Sequence, residues 1–211
     1  METNIIETKV IKIGFLGNSM AGKTSIINRF IGLEFCKDNM TTIGSNKLEK
    51  KYKVKNNEDI KLVIWDTAGQ ERFRATAIKS LKAVDGIIFV ISVVDKSSLD
   101  NLYEWYNAVK DSLNNPIMIL FANHIDQEDW RMTEEEICKY AKEKELAYFL
   151  TSAKNDKGIN EGLSYIINEI YDRKFGNKNN DNINNNKNNI IIKEDNKKKN
   201  KSGCLRSKKK K

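Results

Sequence analysis

The chain has 211 residues, enough for one well-buried domain of about 170 residues with a tail and too few for two ordinary domains. Its formal net charge of +8 is unevenly spread: residues 176–211 hold 12 Lys and Arg against 3 Asp and Glu, leaving 25 against 26 before them. A near-neutral globular part speaks against a nucleic-acid-binding domain, and three scattered cysteines with a single His support neither a disulfide framework nor a zinc site.

The first residues, METNIIETKV, carry no apolar region of secretory length, and no stretch approaches the roughly 18 apolar residues of a membrane span. The expectation is a cytoplasmic protein. KVIKIGFLG reads as a strand, and KTSIINRFIG behind it places Ile26, Ile27, Phe30 and Ile31 at helical spacing. KLEKKYKVK and DIKLVIWD flank Asn56, Asn57 and Glu58, a turn composition that predicts a hairpin. VDGIIFVIS, PIMILFAN and LAYFLTSA are short, continuously apolar runs, as strands covered on both faces tend to be. SSLDNLYEWYNAVKDSLN, TEEEICKYAKEKE and INEGLSYIINEIYD have helical periodicity with polar starts suited to capping.

The order β-α-β-β-α-β-α-β-α-β-α predicts an α/β fold. It is a six-stranded, mostly parallel sheet with one antiparallel edge strand and helices on both faces. Right-handed crossovers bring every β-to-α loop to one edge of that sheet. The domain is expected over residues 1–175 and the tail over 176–211.

Four polar signatures fall on that edge. GNSMAGKT, residues 17–24, has the spacing G-x-x-x-x-G-K-[ST] directly behind a strand. Backbone N–H groups of such a loop wrap phosphates at a helix N-terminus, Lys23 reaches their outer oxygens, and Thr24 offers a hydroxyl to Mg²⁺. In WDTAGQE, residues 65–71, Asp66 is placed as a Mg²⁺-directed carboxylate. Gly69 there lets its N–H approach a terminal phosphate, and Gln70 can orient a water. NHID, residues 123–126, and TSAK, residues 151–154, end two later strands. A carboxylate at Asp126 that accepts from both N–H groups of a guanine edge would discriminate against adenine.

GNSMAGKT, TTIG, WDTAGQERF, NHID and TSAK, in this order, resemble the five nucleotide-binding elements of the Ras-like small GTPases, and most of all those of the Rab family. The resemblance spans about residues 9 to 174. It implies a GTPase acting as a GTP/GDP switch in vesicle traffic, with Mg²⁺ held by Thr24, Thr42 and Asp66. It implies a catalytic set of Gln70, Lys23 and Thr42. Nucleotide contacts are implied from Gly17, Asn18, Ser19, Met20, Ala21, Gly22, Lys23, Thr24 and Ser25. Phe35, Thr42, Gly69, Asn123, His124, Asp126, Ser152, Ala153 and Lys154 complete that set, with Phe35 stacked on the guanine.

Thr42 and Gly69 gain a bond only when a γ-phosphate is present, so residues 33–46 and 66–80 are expected to order with GTP and to be read by exchange factor, activating protein and effectors. Unaided turnover is expected to be slow, because related switches gain about 10⁵-fold from an arginine lent by a partner. Arg72 and Arg74 read as solvated switch-surface residues rather than as that arginine. A monomer is expected. The competing reading is a module that holds guanine nucleotide without hydrolysing it, or a small GTPase outside membrane traffic.

The chain also departs from the pattern. His124 stands where the family has lysine, and Met20 where it has a small residue, which predicts looser nucleotide binding and faster exchange. Lys47, Ser80 and Leu81 replace aromatic residues of the surface by which Rab proteins recruit effectors, while Trp65 remains. From Gly176 the Asn/Lys-rich composition predicts disorder. Seven residues follow Cys204, so CLRS is not expected to act as a terminal prenylation signal unless the last four lysines are trimmed. The lysines suit an anionic membrane surface, with Cys204 offering a site for palmitate. A nuclear-import or nucleic-acid-binding run and a merely solvated tail are the alternatives.

Overall fold

The computed structural model describes residues 8–36, 42, 44–70 and 73–176. Arg72, residues 37–41 of the first switch segment, and the Asn/Lys-rich tail with Cys204 lie outside the described residues. In chain order the elements are β1 (Val10–Leu16), α1 (Lys23–Phe30), β2 (Ser45–Lys53), β3 (Asp59–Thr67), α2 (Arg74–Ser80), β4 (Gly86–Ser92), α3 (Lys96–Asp100), α4 (Leu102–Ser112), β5 (Ile117–Asn123), α5 (Glu134–Glu143), β6 (Ala147–Leu150) and α6 (Ile159–Phe175).

The six strands form one sheet in the order β2-β3-β1-β4-β5-β6, with β2 antiparallel to β3 at the edge and every other pairing parallel. This is the expected architecture. The hairpin closes where Val54 N–H donates to Glu58 and Asn57 N–H to Val54. Asn57 takes the left-handed conformation there, at φ 68°, which Asn adopts more readily than branched residues.

Alternation along each strand sends side chains to two separate cores. Ile11, Ile13 and Phe15 of β1, with Ile88 and Val90 of β4, pack against α1 and α6 through Ile26, Ile27, Phe30, Leu163 and Ile166. Leu16, Ile87, Phe89 and Ile91 face the other way, onto Ala77, Leu99, Trp105, Val109 and Ile137 of α2 to α5. Both faces of the central strands are thereby dry, which is why their sequences run apolar without interruption.

The capping reading holds at α5, where Thr133 Oγ1 accepts from Glu136 N–H at 3.2 Å and Glu136 Oε2 accepts from Thr133 N–H at 2.8 Å. One element differs from expectation. The segment read as a single helix from Ser97 is two, α3 and α4, broken at Asn101. Asp95 caps α3 by accepting from Ser97 N–H. At Asn101 ψ flattens to −13°, and Glu104 N–H bonds the Asn101 carbonyl at 3.1 Å while Trp105 N–H reaches it only at 3.4 Å. This is an i→i+3 tightening that interrupts the α ladder.

Candidate functional site

The carboxyl ends of β1, β3, β4, β5 and β6 open onto one cavity of about 720 Å³. Its wall includes Ser19, Met20, Gly22, Lys23, Thr24 and Ser25 from the first loop and helix, Phe35 and Thr42 from the following segment, Gly69 after β3, and His124, Asp126 and Lys154 after β5 and β6. Loops drawn from residue 19 to residue 154 thus meet, as the sheet order requires.

The first loop is shaped around Lys23. That side chain is 5 % exposed, and its Nζ donates to the carbonyls of Gly17 at 2.9 Å and Asn18 at 2.8 Å. Burial lowers its pKa to about 8, opposed by the nearby Asp66 charge. Gly22, at φ 92°, serves as the N-cap of α1 without a capping side chain. A Cβ at Gly22 would strike the Asn123 amide. At Gly69 a Cβ would collide with Lys23 Nζ and Ser19 N, so only glycine lets the loop after β3 approach the first loop this closely.

Three oxygens gather beside them. Thr24 Oγ1 donates to Asp66 Oδ2 at 2.7 Å and lies 2.9 Å from Thr42 Oγ1. Asp66 is 2 % exposed, and its Oδ1 is buried with no hydrogen-bond partner among the described residues. Burial pushes this carboxyl above its ordinary value, with the Thr24 hydroxyl and the Lys23 charge opposing. A buried carboxylate oxygen left open next to two hydroxyls fits a hard divalent cation. Mg²⁺ takes few protein ligands and leaves the rest to phosphate and water.

At the far end, Asp126 Oδ1 accepts from Ser152 Oγ at 2.6 Å, which fixes the carboxylate. His124, at φ 70°, lies 2.8 Å through Nδ1 from Ser92 Oγ and sets its Nε2 against Gly22. Burial lowers its pKa from 6.5, with Asp126 opposing, so the ring is neutral at neutral pH. A neutral ring supplies no charge where a lysine would. The expected outcome for His124→Lys is slower release of GDP, measured with a fluorescent analogue, and an unchanged rate would mean that His124 does not set the exchange rate.

Several expected site residues stand behind the wall rather than in it. Asn123 is fully buried; its amide donates to Ala21 O at 3.0 Å, and its Oδ1 accepts from Ala153 N–H at 3.3 Å and from Thr151 Oγ1 at 3.4 Å. It braces three loops against one another. Ala153 is buried and its carbonyl accepts from Arg29 Nε at 2.8 Å. Gln70 is half-buried after β3, its carbonyl accepting from Phe73 N–H at 2.9 Å. Met20 holds the left-handed backbone conformation, φ 63°, uncommon for a residue with a side chain, and that side chain is 77 % exposed at the cavity. Cys36, Thr67, Ser92, Val94, Asp95 and Gln127 also line the cavity and were missed. Ser92 was legible in principle, as the last residue of an apolar strand ending on the same edge.

A family model described as Ras family matches residues 12–172. The chain belongs to the Ras family. Members bind GTP and GDP with Mg²⁺ and hydrolyse GTP, and this Ras-family chain is a Rab-like small GTPase. It is 34 % identical over 172 residues to Ras-related protein Rab-7b of Bos taurus, covering 80 % of this chain and 84 % of that one. It is 34 % identical over 153 residues to Ras-related protein SEC4 of Saccharomyces cerevisiae, covering 72 % and 71 %. A probable Rab-related GTPase of Acanthamoeba polyphaga mimivirus is 31 % identical over 172 residues, with 80 % of each chain covered.

Lys47 and Leu81 are two of the positions read from the sequence as departures on the effector surface. Lys47 faces Trp65 across the pair, its Nζ 6.0 Å from the ring centroid. Leu81 is fully buried in the second core, against Gly14, so it contributes nothing to a docking surface.

Proposed function

We propose that this Rab-like GTPase is a GTP/GDP switch in membrane traffic whose first loop, Lys23 and the Thr24, Asp66 and Thr42 oxygens hold the phosphate end of a guanine nucleotide. Asp126, fixed by Ser152, accepts from the guanine edge, His124 lies along the base, and Phe35, 37 % exposed at the cavity rim, covers it. The supporting observation is polarity along one cavity: the ammonium and the open Asp66 oxygen lie at one end and a fixed acceptor at the other. Mg²⁺ held by Thr24, Thr42 and Asp66 would neutralise phosphate charge. Gln70 orients a water toward the outermost phosphate, a task of position that needs no shifted pKa.

Gly69 lies against Lys23 and Thr42 against Thr24, and each has a bond to gain from a third phosphate. That difference is what exchange factor, activating protein and effectors would read. The tail, carrying Lys-rich charge and Cys204, would add attraction to an anionic membrane surface of about 1 kcal/mol per lysine near it, which co-sedimentation with vesicles of rising anionic lipid content measures. The domain acts as a monomer in this reading.

Single-turnover hydrolysis of GTP with Mg²⁺ tests the assignment. The wild type is expected to turn over slowly, and Gln70→Leu more slowly by about tenfold or more, since loss of positioning alone costs up to ~10²-fold. Equal rates would instead identify a module that holds nucleotide without hydrolysing it.

A further inference from the structure

Arg74, the first residue of α2, is not the solvated surface residue its sequence setting suggests. Its side chain is only 21 % exposed, and a terminal N–H pairs with the Glu104 carboxylate of α4. The guanidinium carbon lies 5.1 Å from the centre of the Trp105 ring, also on α4. A cation over a tryptophan face is the strongest pairing of its kind. Arg74 Nε is buried with no partner among the described residues, so the group is seated in this contact despite an open donor, which solvation alone would not produce.

The platform beneath it is tied to the phosphate loop. Trp105 is fully buried, and its indole N–H donates to Asn18 Oδ1 at 3.2 Å. The carbonyl of the same Asn18 accepts from Lys23 Nζ at 2.8 Å. On the other side, the N-cap of α2 is Phe73, whose N–H bonds the Gln70 carbonyl at 2.9 Å. One continuous set of contacts therefore runs from Lys23 through Asn18, Trp105 and Arg74 to the turn that carries Gln70.

We propose that Arg74 is a positioning residue for GTP hydrolysis: clamped between the Trp105 ring and the Glu104 carboxylate, it fixes the start of α2 relative to the phosphate loop and so holds Gln70 in register with the outermost phosphate. Only a planar guanidinium can stack on the indole and pair with the carboxylate at once; a lysine does one or the other. The inference rests on the reading of Gln70 as the water-orienting residue.

The test is single-turnover GTP hydrolysis by the full chain with Mg²⁺, alongside GDP and GTP affinities and tryptophan emission, for wild type, Gln70→Leu, Arg74→Ala, Arg74→Lys and Glu104→Gln. Arg74→Ala is expected to slow hydrolysis about tenfold while both affinities stay within about twofold, and to shift tryptophan emission as the cation leaves the ring. Arg74→Lys should recover part of the rate. Glu104→Gln lies at a side chain 57 % exposed, so it is expected to leave the fold intact, and it should slow hydrolysis about two- to threefold, since an exposed ion pair contributes little. If Gln70→Leu slows hydrolysis while Arg74→Ala and Glu104→Gln keep the wild-type rate, or lose affinity and rate in proportion, the positioning role is wrong. If Gln70→Leu itself keeps the wild-type rate, the reading of Gln70 fails and takes this inference with it.

Discussion

Replacing Lys23 by alanine is expected to lower the affinity for GTP and GDP by about 10³-fold, the largest single effect anticipated on the phosphate side. The ammonium has three N–H groups, and two already donate to the carbonyls of Gly17 and Asn18. The third remains for a phosphate oxygen, in a site where the charge is nearly shut off from water. Removing one partner of a buried charge pair costs about 3–5 kcal/mol, and each 1.4 kcal/mol is tenfold in binding. The two loop carbonyls also lose their donor, so the nucleotide-free protein should lose stability by roughly 1–3 kcal/mol. Titration with a fluorescent guanine nucleotide, with circular dichroism to verify the fold, decides the matter; affinity within tenfold of wild type would show that Lys23 does not carry the phosphate.

The second large effect is expected at Asp126, where asparagine should weaken GDP binding by about 10²- to 10³-fold and raise the relative affinity for xanthosine diphosphate. A carboxylate accepts from both the ring N–H and the exocyclic amine of guanine, each charge-assisted bond contributing about 1.5–3 kcal/mol. Asparagine presents one acceptor and one donor, and the donor meets a carbonyl in xanthine where guanine has the amine. The Ser152 hydroxyl, 2.6 Å from Asp126 Oδ1, can still donate to the amide oxygen, so the change is confined to recognition. Competition between the two nucleotides, with ATP as the control, reads it directly. No change in preference would mean that the base is recognised elsewhere in the cavity.

The site was legible to different depths at different residues. Gly22, Lys23 and Thr24 announce themselves because the loop they shape is continuous in sequence, behind one strand and ahead of one helix. Asp66 and Gly69 are readable for the same reason, as a short polar stretch at a strand end. Asn123 was read as a contact to nucleotide, and its strongest visible bonds run to Ala21 and Ala153. Those partners are more than 100 and exactly 30 residues away respectively, and nothing local marks them. Arg74 was misread because its neighbours in sequence are polar, whereas the group that seats it, Trp105, arrives from α4. Leu81 was weighed as a surface position, and the turn of α2 onto the sheet buries it beneath Gly14.

The sequence by itself determined the kinds and order of the elements, the antiparallel edge hairpin and the family, because apolar periodicity, turn residues and the glycine–lysine spacing act over a few residues at a time. Only the tertiary structure decided that Asn123 would brace three loops, that His124 would lie against Ser92 and Gly22, and that Arg74 would be clamped on Trp105. Each of those depends on which strands lie side by side in the β2-β3-β1-β4-β5-β6 sheet. That adjacency is set by burying two faces of one sheet at once, a condition satisfied by the whole chain and encoded in no single segment of it.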